Sequence, residues 1–206
     1  MDQVPSAIIE TKNRAKDLFK QGQINISFRV LNDELIRMAK NLGDHFSHQY
    51  ALLVVARLRM EVGDYSDADE ALTEVQSIFT QQGKVLQESN NTLYQYIYCK
   101  YYHILGKNKA RSYYFEKSKD VFEEGIEFLN KYHPALDDSK IKNKYLCKLY
   151  EGLGLLYCEA LWFEKSEAYF KLCEEIYAAK RDAPSSYQFL QFKLKKAALM
   201  KREGFF

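Results

Sequence analysis

Residues 46–82 read FSHQYALLVVARLRMEVGDYSDADEALTEVQSIFTQQ, and this stretch decides the fold class. Leu52, Val55 and Ala56 are spaced three and four apart, the period of one helix face. Ala68, Leu72 and Val75 repeat that spacing after Gly63-Asp64, a pair that interrupts helices and makes turns. The spacing predicts a helix over 46–62, a tight turn, and a second helix over 65–82. Each carries an apolar stripe that it cannot bury alone, so the pair needs neighbours on both sides.

Outward from this pair the same rhythm recurs. A first pair is predicted over 6–21 and 24–41, opened by Pro5, broken at Gly22 and closed at Gly43. In its second helix Ile24, Phe28, Leu31, Leu35 and Met38 form one stripe. The second pair closes at Gly83. A third pair is predicted over 86–106 and 110–132, broken at Gly106-Lys107-Asn108 and stopped by Pro134. A fourth covers 139–160 and 163–180, followed by Pro184, and a final capping helix covers 185–202. Only nine Gly and three Pro punctuate 206 residues, which agrees with long helices. The expectation is a single all-α domain spanning 1–206.

Leu52, Val55, Ala56, Gly63, Tyr65, Ala68, Leu72 and Val75 resemble the tetratricopeptide repeat. Tyr150, Leu153, Gly154, Tyr157, Phe163, Ser166, Phe170 and Cys173 match it a second time at the same internal spacing. The third pair fits with Leu93 or Tyr94, Ile97, Tyr98 and Tyr101 in its first helix and Ser118, Phe122 and Gly125 in its second, with about eight extra residues between them. The first pair places Ala15, Phe19, Ser27 and Leu31. Repeats spaced about 40–55 residues apart are longer than the usual 34. They are more similar to kinesin-light-chain-like repeats, whose inter-repeat link Lys131–Leu136 also resembles, or to peptide-pheromone receptor repeats. The resemblance implies a right-handed superhelical solenoid of four pairs plus the capping helix.

It also implies a function, because the first helix of each such pair lines a concave face that holds a peptide or partner helix. Carried onto this chain, the groove positions are Lys12, Asn13 and Lys16; Tyr50, Val54, Arg57 and Glu61; Gln95, Tyr96, Cys99 and Tyr102; and Lys148, Glu151, Leu155 and Cys158. The expected activity is that of a non-enzymatic adaptor or scaffold for a protein or peptide, with a place in a larger complex compatible with it. One variant of the family grips a C-terminal carboxylate with Lys and Asn. Here Lys12 fits the first position, but Lys16 and Val54 stand where Asn is needed, so the chain departs from that clamp. A signalling-peptide receptor and an RNA-binding helical repeat are the alternative readings.

Composition narrows these. Thirty Lys+Arg against 28 Asp+Glu leave a formal charge of +2, against a dedicated nucleic-acid binder. Sixteen Tyr and 13 Phe, with only one Trp, concentrate around 94–102 and 113–115, where rings suit either an inter-helix core or base stacking. No apolar run reaches membrane-spanning length, and no secretion signal opens the chain, which points to the cytoplasm, or the nucleus. Cys99, Cys147, Cys158 and Cys173 form no CxxC and are expected as buried thiols. His45 and His48 share a face beside Asp44 but have no third ligand, so no metal is expected. No nucleophile motif or phosphate loop is present, and neither an enzyme nor a cofactor is implied.

Overall fold

In a computed structural model the described residues are 4–88, 92–131 and 139–178, with Ala197 and Lys201. They are helical, and no strand occurs among them. The capping helix expected over 185–202, Phe205-Phe206, and Tyr132–Leu136 of the link lie outside the described residues, apart from Ala197 and Lys201 in the first.

The first pair is α1 (Ser6–Lys20) followed by α2 (Ile24–Arg29), a π-helical segment (Val30–Ile36) and α3 (Arg37–Asn41), these three forming one unbroken rod. The second is α4 (His45–Glu61) with α5 (Tyr65–Glu88). The third is α6 (Thr92–Arg111) with α7 (Phe115–Lys131), and the fourth α8 (Ser139–Glu159) with α9 (Phe163–Ala178). Asp44 starts α4 by accepting the backbone N–H groups of Phe46 and Ser47 at 3.0 and 3.1 Å, which satisfies two donors that a helix start leaves open.

The predicted boundaries around the third pair are displaced: α6 opens at Thr92 rather than 86, and α7 at Phe115 rather than 110. Gly83 does not stop α5, which continues to Glu88. Gly106 does not break the third pair; it lies inside α6, and the turn comes at Ser112–Tyr114. The reason is packing. A Cβ on Gly106 would lie 2.5 Å from Cε1 of Phe122, so α6 and α7 can cross here only if residue 106 has no side chain. A glycine in sequence looks like a breaker, but here it is a contact.

Placed in this register, all four pairs share one frame. Ala15, Ala56, Gly106 and Gly154 sit at the crossing. Seven residues on, Gly22, Gly63, Tyr113 and Leu161 adopt left-handed φ of 79°, 83°, 61° and 63°. The next residue's N–H then returns to a carbonyl five back, as in Gln23 to Leu18 at 3.0 Å and Trp162 to Tyr157 at 2.9 Å, closing each first helix in the same way. Twelve residues after the crossing come Ser27, Ala68, Ser118 and Ser166. The three serines donate to the crossing carbonyls of Ala15, Gly106 and Gly154 at 2.7, 2.8 and 2.7 Å. Sixteen after it, Leu31, Leu72, Phe122 and Phe170 fill the space, all essentially buried.

The first helices α1, α4, α6 and α8 touch in succession, forming one layer. Each also packs on its own second helix, and α5 and α7 reach forward to the next first helix. The largest apolar cluster spans α1 to α6, with Leu31, Leu35, Leu53, Leu72 and Ile97 sealed inside; a second, around Phe122 and Leu149, joins the later pairs.

Candidate functional site

Charge is sorted between the two kinds of helix. The first helices α1, α4, α6 and α8 carry 14 Lys/Arg against five Asp/Glu, and α6 has no carboxylate at all. The second helices of the pairs carry nine against 16. A net charge of +2 therefore conceals a basic layer backed by an acidic one.

Two of the basic side chains meet at Tyr50 of α4, which is 8% exposed. The Lys100 ammonium, from α6, sits 4.1 Å from the Tyr50 ring centroid, a cation–π contact. From α1, Lys12 Nζ donates to the Tyr50 hydroxyl at 3.4 Å and lies 6.0 Å from the same ring. Lys16 of α1, Arg57 of α4 and Lys148 of α8 surround them. Burial, then the charges of Lys16, Arg57, Lys12 and Lys148, pushes Lys100 down to about 7. Lys148 falls to about 8, chiefly through burial and then through Lys144, Arg57 and Lys107. Lys16 is lowered by burial first and by Arg57 next.

One turn along α6, His103 is held well below its usual value by burial and by Lys107, Lys148 and Arg57. It is therefore neutral, and its buried Nδ1 has no hydrogen-bond partner. Counter-charge is scarce. Glu61 pairs with Arg57 at 3.2 Å, and Glu151 lies near Lys148. Among the described residues no carboxylate forms an ion pair with Lys12, Lys16, Lys100 or Lys148.

Of the residues singled out from sequence, Lys12, Lys16, Tyr50, Arg57 and Lys148 meet here, Glu151 borders them, and Asn13 is exposed on α1. Tyr96 borders the cluster too, near Tyr50 and Lys12, whereas Gln95 and Tyr102 lie elsewhere. Gln95 is 4% exposed, inside the protein rather than on a reachable face. Tyr102 packs on Tyr98 and Phe128 of the α6–α7 contact, and its Cβ would be 2.8 Å from a Cβ on Gly125. Tyr96 sets its ring edge on Tyr145 of α8 at 5.7 Å, and the two hydroxyls hydrogen-bond.

Sequence reading missed Lys100, His103 and Lys107 because it misplaced the third pair. With Gly106 at the crossing, Lys100 falls six residues before it, as Tyr50 and Lys148 do in their pairs, and Lys107 falls one after it, as Lys16 and Arg57 do. The signal was present in the Gly106–Ser118 spacing, which equals that of Gly154 and Ser166.

The four cysteines are buried and unbridged. His48 faces Glu74 at 3.3 Å, and among the described residues no group of three or more His, Cys, Asp or Glu side chains is placed to hold a metal. No helix among them is long and apolar enough to cross a membrane. No protein-family model matches the chain, and no curated protein matches it.

Proposed function

We propose that the chain is a tetratricopeptide-like right-handed solenoid working as a non-enzymatic adaptor, which binds a segment of a partner protein along the layer of first helices. The observation that carries this reading is the basic cluster shared by α1, α4, α6 and α8, in which, among the described residues, Lys12, Lys16, Lys100 and Lys148 have no carboxylate ion-pair partner. Four successive pairs each contribute one helix to that face, and long-range attraction between it and an acidic surface would speed encounter and fix orientation. The recurring frame around Ala15, Ala56, Gly106 and Gly154 supports the repeat reading, because each pair is built on the same crossing.

The test is a pull-down with Arg57→Glu and Lys148→Glu combined. Both side chains lie at the cluster and neither fills the core, so helicity by circular dichroism is expected to persist. Partners recovered by the wild-type chain are expected to be lost. Equal recovery with intact helicity would remove this face from consideration.

A further inference from the structure

The basic cluster is compact. Lys12 and Lys100 reach the same tyrosine ring from two different helices, and Lys16, Arg57 and Lys148 act on Lys100 from three. Five cations gathered in this way repel one another, and among the described residues the acidic neighbours are Glu61, paired with Arg57 and also near Lys16, and Glu151 beside Lys148. Burial and four basic neighbours lower the proton affinity of Lys100. An anion seated among these groups would reverse that balance.

The shape of the cluster selects the anion. An extended run of carboxylates suits a stripe of cations, whereas two ammonium groups on one ring, with Lys16, Arg57 and Lys148 near enough to act on one of them, suit a single group of high charge. A phosphoryl dianion offers three strong acceptor oxygens on one atom, and lysine ammonium and arginine guanidinium are its usual donors. Nucleic acid is disfavoured by the rings. Single-strand binding stacks bases on open aromatic faces, but Lys100 lies over the Tyr50 ring, Lys148 over that of Tyr145 at 5.2 Å, and Tyr96 is turned edge-on to Tyr145.

We infer that Lys12, Lys16, Arg57, Lys100 and Lys148 form a phosphoryl-binding site around Tyr50, filled by a phosphorylated residue of the partner segment. This rests on the reading of the first-helix layer as a partner-binding face. Lys100 contacts the phosphoryl oxygens, and Arg57 leaves Glu61 to share them.

The test is fluorescence anisotropy on the full chain with a labelled nine-residue Gly/Ala peptide bearing a central phosphoserine. The same peptide with Ser or Glu at that position, and a dT oligonucleotide of nine residues, serve as comparisons. The phosphoserine peptide is expected to bind at least about ten-fold tighter than the serine peptide, as charge-assisted hydrogen bonds to a buried cation require. Inorganic phosphate is expected to displace it. Lys100→Met, which removes a charge without enlarging the side chain, and the exposed-site variant Arg57→Ala are each expected to bring the phosphoserine-to-serine ratio close to one with unchanged circular dichroism.

Equal binding of the phosphoserine and serine peptides would overturn the inference, as would equal binding of the Glu peptide, tighter binding of the oligonucleotide, or an unchanged ratio in both variants. If the ratio is flat while the charge-reversed pull-down still loses partners, only the phosphoryl assignment falls. If phosphate binds and the pull-down is insensitive, the adaptor reading falls instead.

Discussion

The first two helix pairs put alanine at the crossing and glycine at the turn; the last two put glycine at the crossing and tyrosine or leucine at the turn. The residue sixteen places on changes with the crossing. Buried Leu31 and Leu72 go with Ala15 and Ala56 in this register, whereas Phe122 and Phe170 lie against Gly106 and Gly154. A methyl group removed from one helix is matched by a larger ring on the other, which is how close-packed interiors conserve volume. One backbone frame is thus reached by two sets of side chains, and the two halves of the chain are natural controls for each other.

The largest difference should appear when the ring is removed. A Cβ on Gly152 would lie 2.5 Å from Phe122 Cζ, so this ring covers two glycines, one on α6 and one on α8. Phe122→Ala is expected to cost about 4 kcal/mol, against about 3 kcal/mol for Leu72→Ala in the second pair. Urea melts of the two variants check this, and equal losses would show that Phe122 does no more than its counterpart.

Converting one half into the other is a sharper probe. Gly154→Ala sets a methyl group 2.7 Å from Phe170 Cε1 and is expected to destabilise by about 2 kcal/mol, even though alanine favours helix by about 1 kcal/mol. Adding Phe170→Leu recreates the Ala/Leu pairing of the first two repeats and should recover more than half of the loss. Strict additivity in this double-mutant cycle would mean that the two positions do not exchange volume.

The halves also differ six residues before the crossing, where the second pair has Tyr50 and the third has Lys100. The Lys100 value of about 7 lies below that of an unfolded chain, so the unfolded state binds more protons between pH 7 and about 10. The Lys100 contribution to stability should therefore rise with pH across that window, with Lys148, lowered to about 8, acting the same way and the buried Cys99 thiol, raised to about 12, acting against it. The Lys100 contribution is on the order of 1–2 kcal/mol, discounted because the residue as a whole keeps partial exposure. Lys100→Met should remove this contribution, so that wild type gains on the variant between pH 7 and pH 9.5, and should be more stable than wild type at pH 7. Thermal melts at pH 7 and pH 9.5 measure both, and an unchanged slope would mean that Lys100 is not the group responsible.

A smaller step separates the second pair from the rest. Ser118 donates to Gly106 O across the α6–α7 crossing, whereas the second pair has Ala68 at that place. Ser118→Ala is expected to lose about 1 kcal/mol, since the carbonyl has its helical partner and only one bond disappears. Chemical denaturation reads this directly, and a neutral result would mean that the crossing is held by shape alone.

How much of this was legible in the sequence follows from the same comparison. The all-helical class and most helix limits could be read because Gly22 and Gly63 mark turns that require left-handed backbone, and the apolar stripes are regular. The third pair could not be placed in that way. Its turn carries Tyr113, which gives no turn signal, while Gly106 gives a false one inside α6. That displacement put Gln95 and Tyr102 on the expected groove and left out Lys100 and His103. The sorting of charge between first and second helices was hidden for a different reason. A sum over the chain cancels, and only the pairing of helices assigns each charge to a layer.

The turns give the smallest and most diagnostic test. Tyr113 and Leu161 hold φ of 61° and 63°, a region that costs a side chain about 1 kcal/mol or more, and both are exposed, at 97% and 61%. Nothing packed around Tyr113 rewards that strain, so Tyr113→Gly should stabilise by about 0.5 kcal/mol once the freedom of glycine in the unfolded chain is subtracted. The reciprocal change, Gly63→Ala, meets no neighbour within 4 Å and should destabilise by a similar small amount from φ alone. If Tyr113→Gly instead loses stability, the exposed ring holds a contact beyond the turn. The later pairs would then differ from the earlier ones by an interaction as well as by an exchange of glycine.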